Sequence, residues 1–250
     1  MLWTVRPIIA GEFGMVRDDI KFSGGDPAKS GMVPSYIYLL ENGIEQVVVD
    51  TSFTQPKRCE EVLGLVVKRN ISYKKLLDQN GIVAGKVSAV ILTHLHWDHA
   101  ANLKLFASAK IYCQQKEADF ALSPDSGYLP CFLKEYKAAA DRWVLVDKDT
   151  TVFEGINLFH CGGHTVGSQM VEVNTSEGKV LITGDTIMTY ENVIKRIPIG
   201  LCSDLEACRL AVEDVRLKQA VLLLPSHDYH TMEYLSNKEN CRVCSLTQGS

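Results

Sequence analysis

Of the seven histidines in this chain, three sit in one short run, Thr93-His94-Leu95-His96-Trp97-Asp98-His99. Imidazole nitrogens and carboxylate oxygens are the ligands that borderline cations such as zinc accept. Four such groups within six positions suffice for most of two coordination shells. In extended chain, residues two apart point the same way, so His94 and His96 can address one point. Asp98 and His99 turn towards the same pocket, where a helix is expected over Ala100 to Phe106. The bland alternative is a run of solvated polar residues, and the apolar strand that leads into the run argues against it.

Three more groups fit the same site. His164 follows Gly162-Gly163, where glycines let the chain turn after the strand Ile156-Asn157-Leu158-Phe159. Asp185 ends the strand Val180 to Thr183, and His227 ends the strand Ala220 to Leu224. Each is a metal-type side chain at the C-terminal end of a strand, which is how a rigid scaffold brings distant sequence to one point. Any one alone reads as structural; with the dense run they are better explained together. His160 and His230 are read as ordinary polar residues.

The elements that must position these groups are short and rich in β-branched residues. Ile37 to Leu40 and Gln46 to Asp50 flank Asn42-Gly43, a hairpin signal. Further strands are expected at Ala89 to Thr93, Ile111 to Cys113, Val144 to Val146 and Met170 to Val173. Helices are expected over Cys59 to Arg69, over Lys134 to Arg142, and from the capping-box pattern Ser203-Asp204-Leu205-Glu206 to about Leu217. Strand clusters interrupted by helices suggest sheets with helices outside, in one domain spanning 1–250 with a polar tail from about 236.

The order His94-x-His96-x-Asp98-His99, His164, Asp185 and His227, with Asp50 ending Val48-Val49-Asp50, resembles the metallo-β-lactamase superfamily from about Ser35 to Asp228. The resemblance implies an α+β fold, a four-layer αββα sandwich with metals at one edge. It implies that His94, His96 and His164 hold one ion and Asp98, His99 and His227 another. Asp185 would bridge the two, and Asp50 would support the loop without binding metal. Two divalent ions per chain are expected, zinc first, with iron, manganese and cobalt as alternatives.

Within the superfamily, the run through Ala100-Ala101-Asn102, Gly184-Asp185-Thr186, Val33-Pro34-Ser35-Tyr36 and Gly163-His164-Thr165-x-Gly167-Ser168-Gln169 look most like the N-acyl-homoserine lactonase branch. That branch implies a dinuclear hydrolase that quenches quorum signals by opening lactone rings. A metal-bridging hydroxide would attack, and Asp98 would pass a proton to the leaving oxygen. One departure stands out: such lactonases often carry a tyrosine three positions after the bridging aspartate, and here that position is Met188. Tyr190 or Tyr128 would have to supply the phenol, or the substrate differs. The rival readings are a thioesterase of glyoxalase II type and a metal-binding protein without catalysis.

The bulk properties narrow the partners. A formal charge of −4 without a basic face argues against nucleic acid. No run approaches the roughly 18 apolar residues of a membrane span, and Met1 to Pro7 does not read as a signal peptide. The eight cysteines are scattered, which suits reduced thiols in a cytoplasmic protein. Cys241-x-x-Cys244 is read as incidental. The segment from Glu117 to Tyr136 could roof an apolar acyl pocket or simply pack on a sheet. The expected partner is a small ester or lactone, and a homodimer is left open.

Overall fold

The computed structural model describes residues 1–123, 136–217 and 220–236. Among these, twelve strands form two sheets. The first contains β1 (Thr4–Arg17), β2 (Ser30–Glu41), β3 (Gln46–Val49), β4 (Val66–Lys68), β5 (Ala89–Ile91), β6 (Lys110–Gln114) and β7 (Trp143–Val146), in the order β4-β1-β2-β3-β5-β6-β7. The second contains β8 (Thr150–Phe153), β9 (Ile156–His160), β10 (Gln169–Thr175), β11 (Gly178–Gly184) and β12 (Leu222–Pro225), in the order β12-β11-β10-β9-β8. Strands β3, β5, β6 and β7 run parallel, as do β11 and β12, while the remaining pairs are antiparallel.

The period-2 alternation of these strands makes the layers. Tyr36, Tyr38, Leu40, Val47, Val49, Ala89 and Ile91 point from the first sheet into a core shared with Leu158, Val171, Val173, Val180, Ile182 and Leu224 of the second. The intervening residues Ile37, Leu39, Val48 and Val90 point outward, against Tyr73, Leu76 and Leu77 of α3 (Tyr73–Gln79). On the far side, Met170, Leu181 and Leu223 pack against Tyr190 and Val193 of α5 (Tyr190–Lys195) and Ala211 and Val212 of α6 (Leu205–Leu217). The result is the expected four-layer αββα arrangement, with helices outside two face-to-face sheets.

The hairpin at Asn42-Gly43 forms as the sequence suggests: Asn42 Oδ1 accepts the N–H groups of Ile44 and Glu45, and Gly43 takes φ +85°. Other elements differ. The helix expected over Cys59 to Arg69 ends early, as α2 (Pro56–Leu63). Gly64 caps it in the left-handed region at φ +67°, and Val66 to Lys68 then pair with β1. No α-helix follows the histidine run. The segment after it is held by the Asn102 amide, which donates to the carbonyls of Thr51 and Phe53 at 2.7 and 2.8 Å, leaving a single 3-10 turn at Leu103–Leu105. The helix after Ser203 begins at Leu205, capped by Asp204, whose Oδ1 accepts the Ala207 N–H. The helix expected over Lys134 to Arg142 lies partly outside the described residues, and its described end is a 3-10 turn, Ala140–Arg142. No helix among the described residues is long and apolar enough to cross a membrane.

Candidate metal centre

β3, β5, β9, β11 and β12 all release their chains at one edge of the sandwich. Asp50 follows β3, the histidine run follows β5, His164 follows β9, and Asp185 and His227 follow β11 and β12. The two sheets are pinned together at this edge by Gln169, whose backbone N–H and side-chain amide donate to the carbonyls of Thr93 and Leu92 at 2.9 and 2.7 Å. Sequence-distant groups therefore arrive on short loops that leave the ends of rigid strands.

Two overlapping clusters result: His94, His96, His164 and Asp185, and Asp98, His99, His227 and Asp185. In the first, His96 Nδ1 lies 3.1 Å from His94 Nε2 and 2.8 Å from His164 Nε2. A tetrahedral shell with metal–nitrogen bonds of about 2.0–2.1 Å would set its donors slightly more than about 3 Å apart, so this spacing suits a shared ion. Burial, reinforced by neighbouring imidazoles, holds His94 and His96 well below the usual histidine pKa. Both are therefore neutral and able to offer lone pairs. His164 Nδ1 donates to the Leu201 carbonyl at 2.7 Å, which fixes its tautomer and leaves Nε2 for the centre.

In the second cluster, His227 Nδ1 donates to the Pro34 carbonyl and His99 Nδ1 to Asp50 Oδ2, each at 2.8 Å. Their Nε2 atoms are buried and make no directed hydrogen bond, although they lie 2.9 Å (His227) and 3.0 Å (His99) from Asp185 Oδ1. Close approach without hydrogen-bond direction suits side chains that converge on one point as ligands. Asp98 Oδ2 stands 3.5 Å from each of the same two nitrogens. The other oxygen of Asp185, Oδ2, faces the first cluster, 3.5 Å from His164 Nε2 and 3.9 Å from His94 Nε2. One carboxylate thus presents one oxygen to each cluster.

The charges are consistent with this arrangement. Burial alone would raise Asp185, but His227 and His99 outweigh it and hold the carboxyl well below its usual range. Conversely, burial would lower His99 and His227, and the nearby carboxylates raise both. Asp98 is raised, chiefly by burial. Supporting groups to which sequence reading gave no role are Thr93, whose N–H and hydroxyl both donate to Asp50, and Ser226, whose hydroxyl donates to Asp185 Oδ1 at 2.7 Å. Their only signal in sequence is adjacency to a ligand.

The family pattern described as the metallo-beta-lactamase superfamily matches residues 30–227. This chain belongs to the metallo-beta-lactamase superfamily. It is 26% identical over 230 residues to an N-acyl homoserine lactonase of Bacillus thuringiensis, covering 87% of this chain and 88% of that protein. A probable metallo-hydrolase of Methanocaldococcus jannaschii is 28% identical over 147 residues, 59% of this chain and 58% of that protein. In three dimensions it resembles an N-acyl homoserine lactone hydrolase solved with N-hexanoyl-L-homoserine at its catalytic metal centre. The TM-score there is 0.81, at 23% identity, covering 93% of this chain and 96% of that one. Superfamily and ligand set agree on a metal-dependent hydrolase.

The remaining expectations divide. Tyr190 does not offer a phenol to the centre: its hydroxyl donates to the Leu223 carbonyl at 2.7 Å, inside the apolar cluster beneath α6. Met188 is buried against Ile199 and Cys208, and its carbonyl accepts the His227 N–H. Tyr128, Cys241 and Cys244 lie outside the described residues. His230 bonds to Asp228 at the start of α7 (His230–Ser236), and His160 Nε2 lies 3.0 Å from the Val166 carbonyl in the loop after His164.

Proposed function

We propose that this chain hydrolyses lactones, with N-acyl-homoserine lactones the first substrates to test, at a centre of two divalent ions, zinc first. The observation that carries the reading is the placement of Asp185, one oxygen towards each histidine cluster, which suits a pair of ions rather than one. Bound there, two such ions would polarise an ester carbonyl and acidify a water to serve as nucleophile. His94, His96, His164 and Asp185 would hold one ion, and Asp98, His99, His227 and Asp185 the other.

The chain's own groups then do the rest. Asp98 Oδ2 stands 3.5 Å from the Nε2 atoms of His99 and His227; with one oxygen given to the ion, its other oxygen can carry a proton to the leaving ring oxygen. Trp97 is half-buried and packs edge-on against Phe13 and tilted against Phe53, at ring-centroid distances of 5.1 and 5.6 Å. Phe13 in turn lies edge-on to His227 at 5.2 Å. This aromatic wall beside the second cluster suits a substrate with an apolar part. Similarity to proteins named N-acyl homoserine lactonases supports the choice of lactone.

The test is metal analysis of the purified protein together with a lactone series of increasing acyl length, an aryl ester and a glutathione thioester. Two metals per chain with lactone opening that depends on acyl length would support the reading. Thioester cleavage without lactone opening would transfer it to a thioesterase. Failure to hold metal after reconstitution would overturn it.

A further inference from the structure

Glu117 lies on α4 (Gln115–Leu122), belongs to neither cluster, and is fully buried. Its Oε1 accepts the Leu95 N–H at 2.9 Å and its Oε2 accepts the Gly167 N–H at 3.0 Å. Leu95 is the residue between His94 and His96. Gly167 belongs to the loop that begins at His164. One carboxylate therefore ties together the backbones of the two segments that supply all three imidazoles of the first cluster. The Leu95 carbonyl is taken by the Tyr136 hydroxyl, so that residue is gripped at both its N–H and its C=O.

Gly167 reports the same joint from the other side. A Cβ there would lie 2.4 Å from both the nitrogen and the Cβ of Glu117, so the loop rests directly on the helix. A buried carboxylate is costly unless its oxygens are bonded, and bonds from N–H groups to an ionised oxygen are among the stronger ones. Here the two oxygens serve two different segments. The length of one side chain thereby sets the spacing between the His94–His96 strap and the His164 loop. Ligand sites require distances held within about 0.2 Å of the ideal, so a slack joint would be felt first in the geometry of that shell.

We propose that Glu117 is a positioning residue for the first metal: it fixes His94 and His96 against His164 and so sets the affinity of that cluster, leaving the second untouched. The proposal rests on reading the two clusters as a metal centre and is independent of which ester is cleaved. It implies that the first site is preorganised from behind, through backbone, rather than through a bond to any ligand's ring.

The test is zinc titration of the metal-free protein against a competing chromophoric chelator, for Glu117→Gln in two backgrounds. His227→Ala disables the second cluster and His164→Ala the first. Glutamine keeps one acceptor oxygen but turns an amide donor towards one of the two N–H groups, which breaks one arm. In the His227→Ala background, zinc affinity is expected to fall about 10–100-fold, the usual consequence of losing a supporting partner. In the His164→Ala background it should not change.

Equal losses in both backgrounds, or none in either, would overturn the proposal and leave Glu117 a part of the general fold. If Glu117→Gln does not fold, Tyr136→Phe releases the other grip on Leu95 and should give the same pattern with a smaller loss. A wild-type protein that binds two zinc ions but opens no lactone would sink the proposed substrate while this result stood. A wild type that binds no zinc would sink both.

Discussion

Asp50 Oδ2 and His99 Nδ1, 49 positions apart in the chain, meet at 2.8 Å. The carboxylate accepts, so His99 carries a proton on Nδ1 and directs its Nε2 to the second cluster. Asp50 also accepts both the N–H and the hydroxyl of Thr93, at 2.8 Å each, and so anchors the start of the histidine run. Its backbone takes φ +58°, a left-handed conformation that Asp and Asn tolerate better than most residues. Asp50→Asn therefore removes the charge without adding backbone strain. The expected outcome is a loss of about 10–100-fold in metal affinity at the second cluster, measured by chelator competition, with the first cluster retained. Unchanged affinity at both sites would deny Asp50 its supporting role.

Metal uptake is expected to be pH-dependent with a definite sign. In the metal-free protein, the carboxylates of Asp185 and Asp98 raise His99 and His227 above the ordinary histidine value. Their stabilising contribution is complete below the unfolded value of about 6.5 and disappears as pH rises through the raised folded values. Zinc must displace these protons, so affinity should rise with pH across that window, by about tenfold per unit for each proton displaced. Calorimetric titration in buffers of different ionisation enthalpy measures the proton release directly. Release that stayed at zero between neutral and mildly alkaline pH would contradict the protonated cluster. Asp185 acts at the other end of the scale: its lowered carboxyl contributes above the unfolded value of about 3.9, and that contribution vanishes as pH falls through the depressed one.

The residues that gather in the two candidate clusters were visible in sequence because short, continuously apolar runs (Ala89 to Leu92, Val180 to Ile182, Leu222 to Leu224) break off shortly before a histidine or aspartate. The central strands were legible for the same reason. β1 was not, since Pro7, Gly11 and Gly14 interrupt its pattern and its register with β2 shifts between Ile9 and Gly11 and again between Phe13 and Val16. The helix expected after His99 failed because a tertiary contact, Asn102 to Thr51 and Phe53, outweighs local propensity. Glu117 gave no warning at all. Its partners are 22 and 50 positions away, and no local spacing connects a helix glutamate to backbone groups at such distances.

Asp98 separates metal binding from proton transfer less cleanly than the histidines, because it stands in the second cluster and is also the candidate acid. Asp98→Asn keeps one oxygen for the ion and removes the titratable proton. With both metals confirmed bound, turnover of the wild type's best ester is expected to fall about 10²–10⁴-fold with KM little changed, the range usual for a lost general acid. A leaving group that needs no protonation, such as a nitrophenolate, should recover much of that loss. Equal losses for good and poor leaving groups would show that Asp98 matters only as a ligand.

Met188 decides whether a tyrosine at this position could be restored. Its side chain is 3% exposed and packs with Ile199 and Cys208, while its carbonyl holds the His227 N–H. A phenol introduced there enters an apolar cluster that is already filled. Overpacking of this kind costs about 1–3 kcal/mol, which in a chain of this length lowers the melting temperature by a few degrees. Met188→Tyr is therefore expected to destabilise the protein and to leave kcat on lactones no higher than wild type. A large gain in kcat with unchanged melting would mean that the ring swings out of the cluster to reach the bound carbonyl, and that this chain differs from tyrosine-bearing lactonases by a single reversible step.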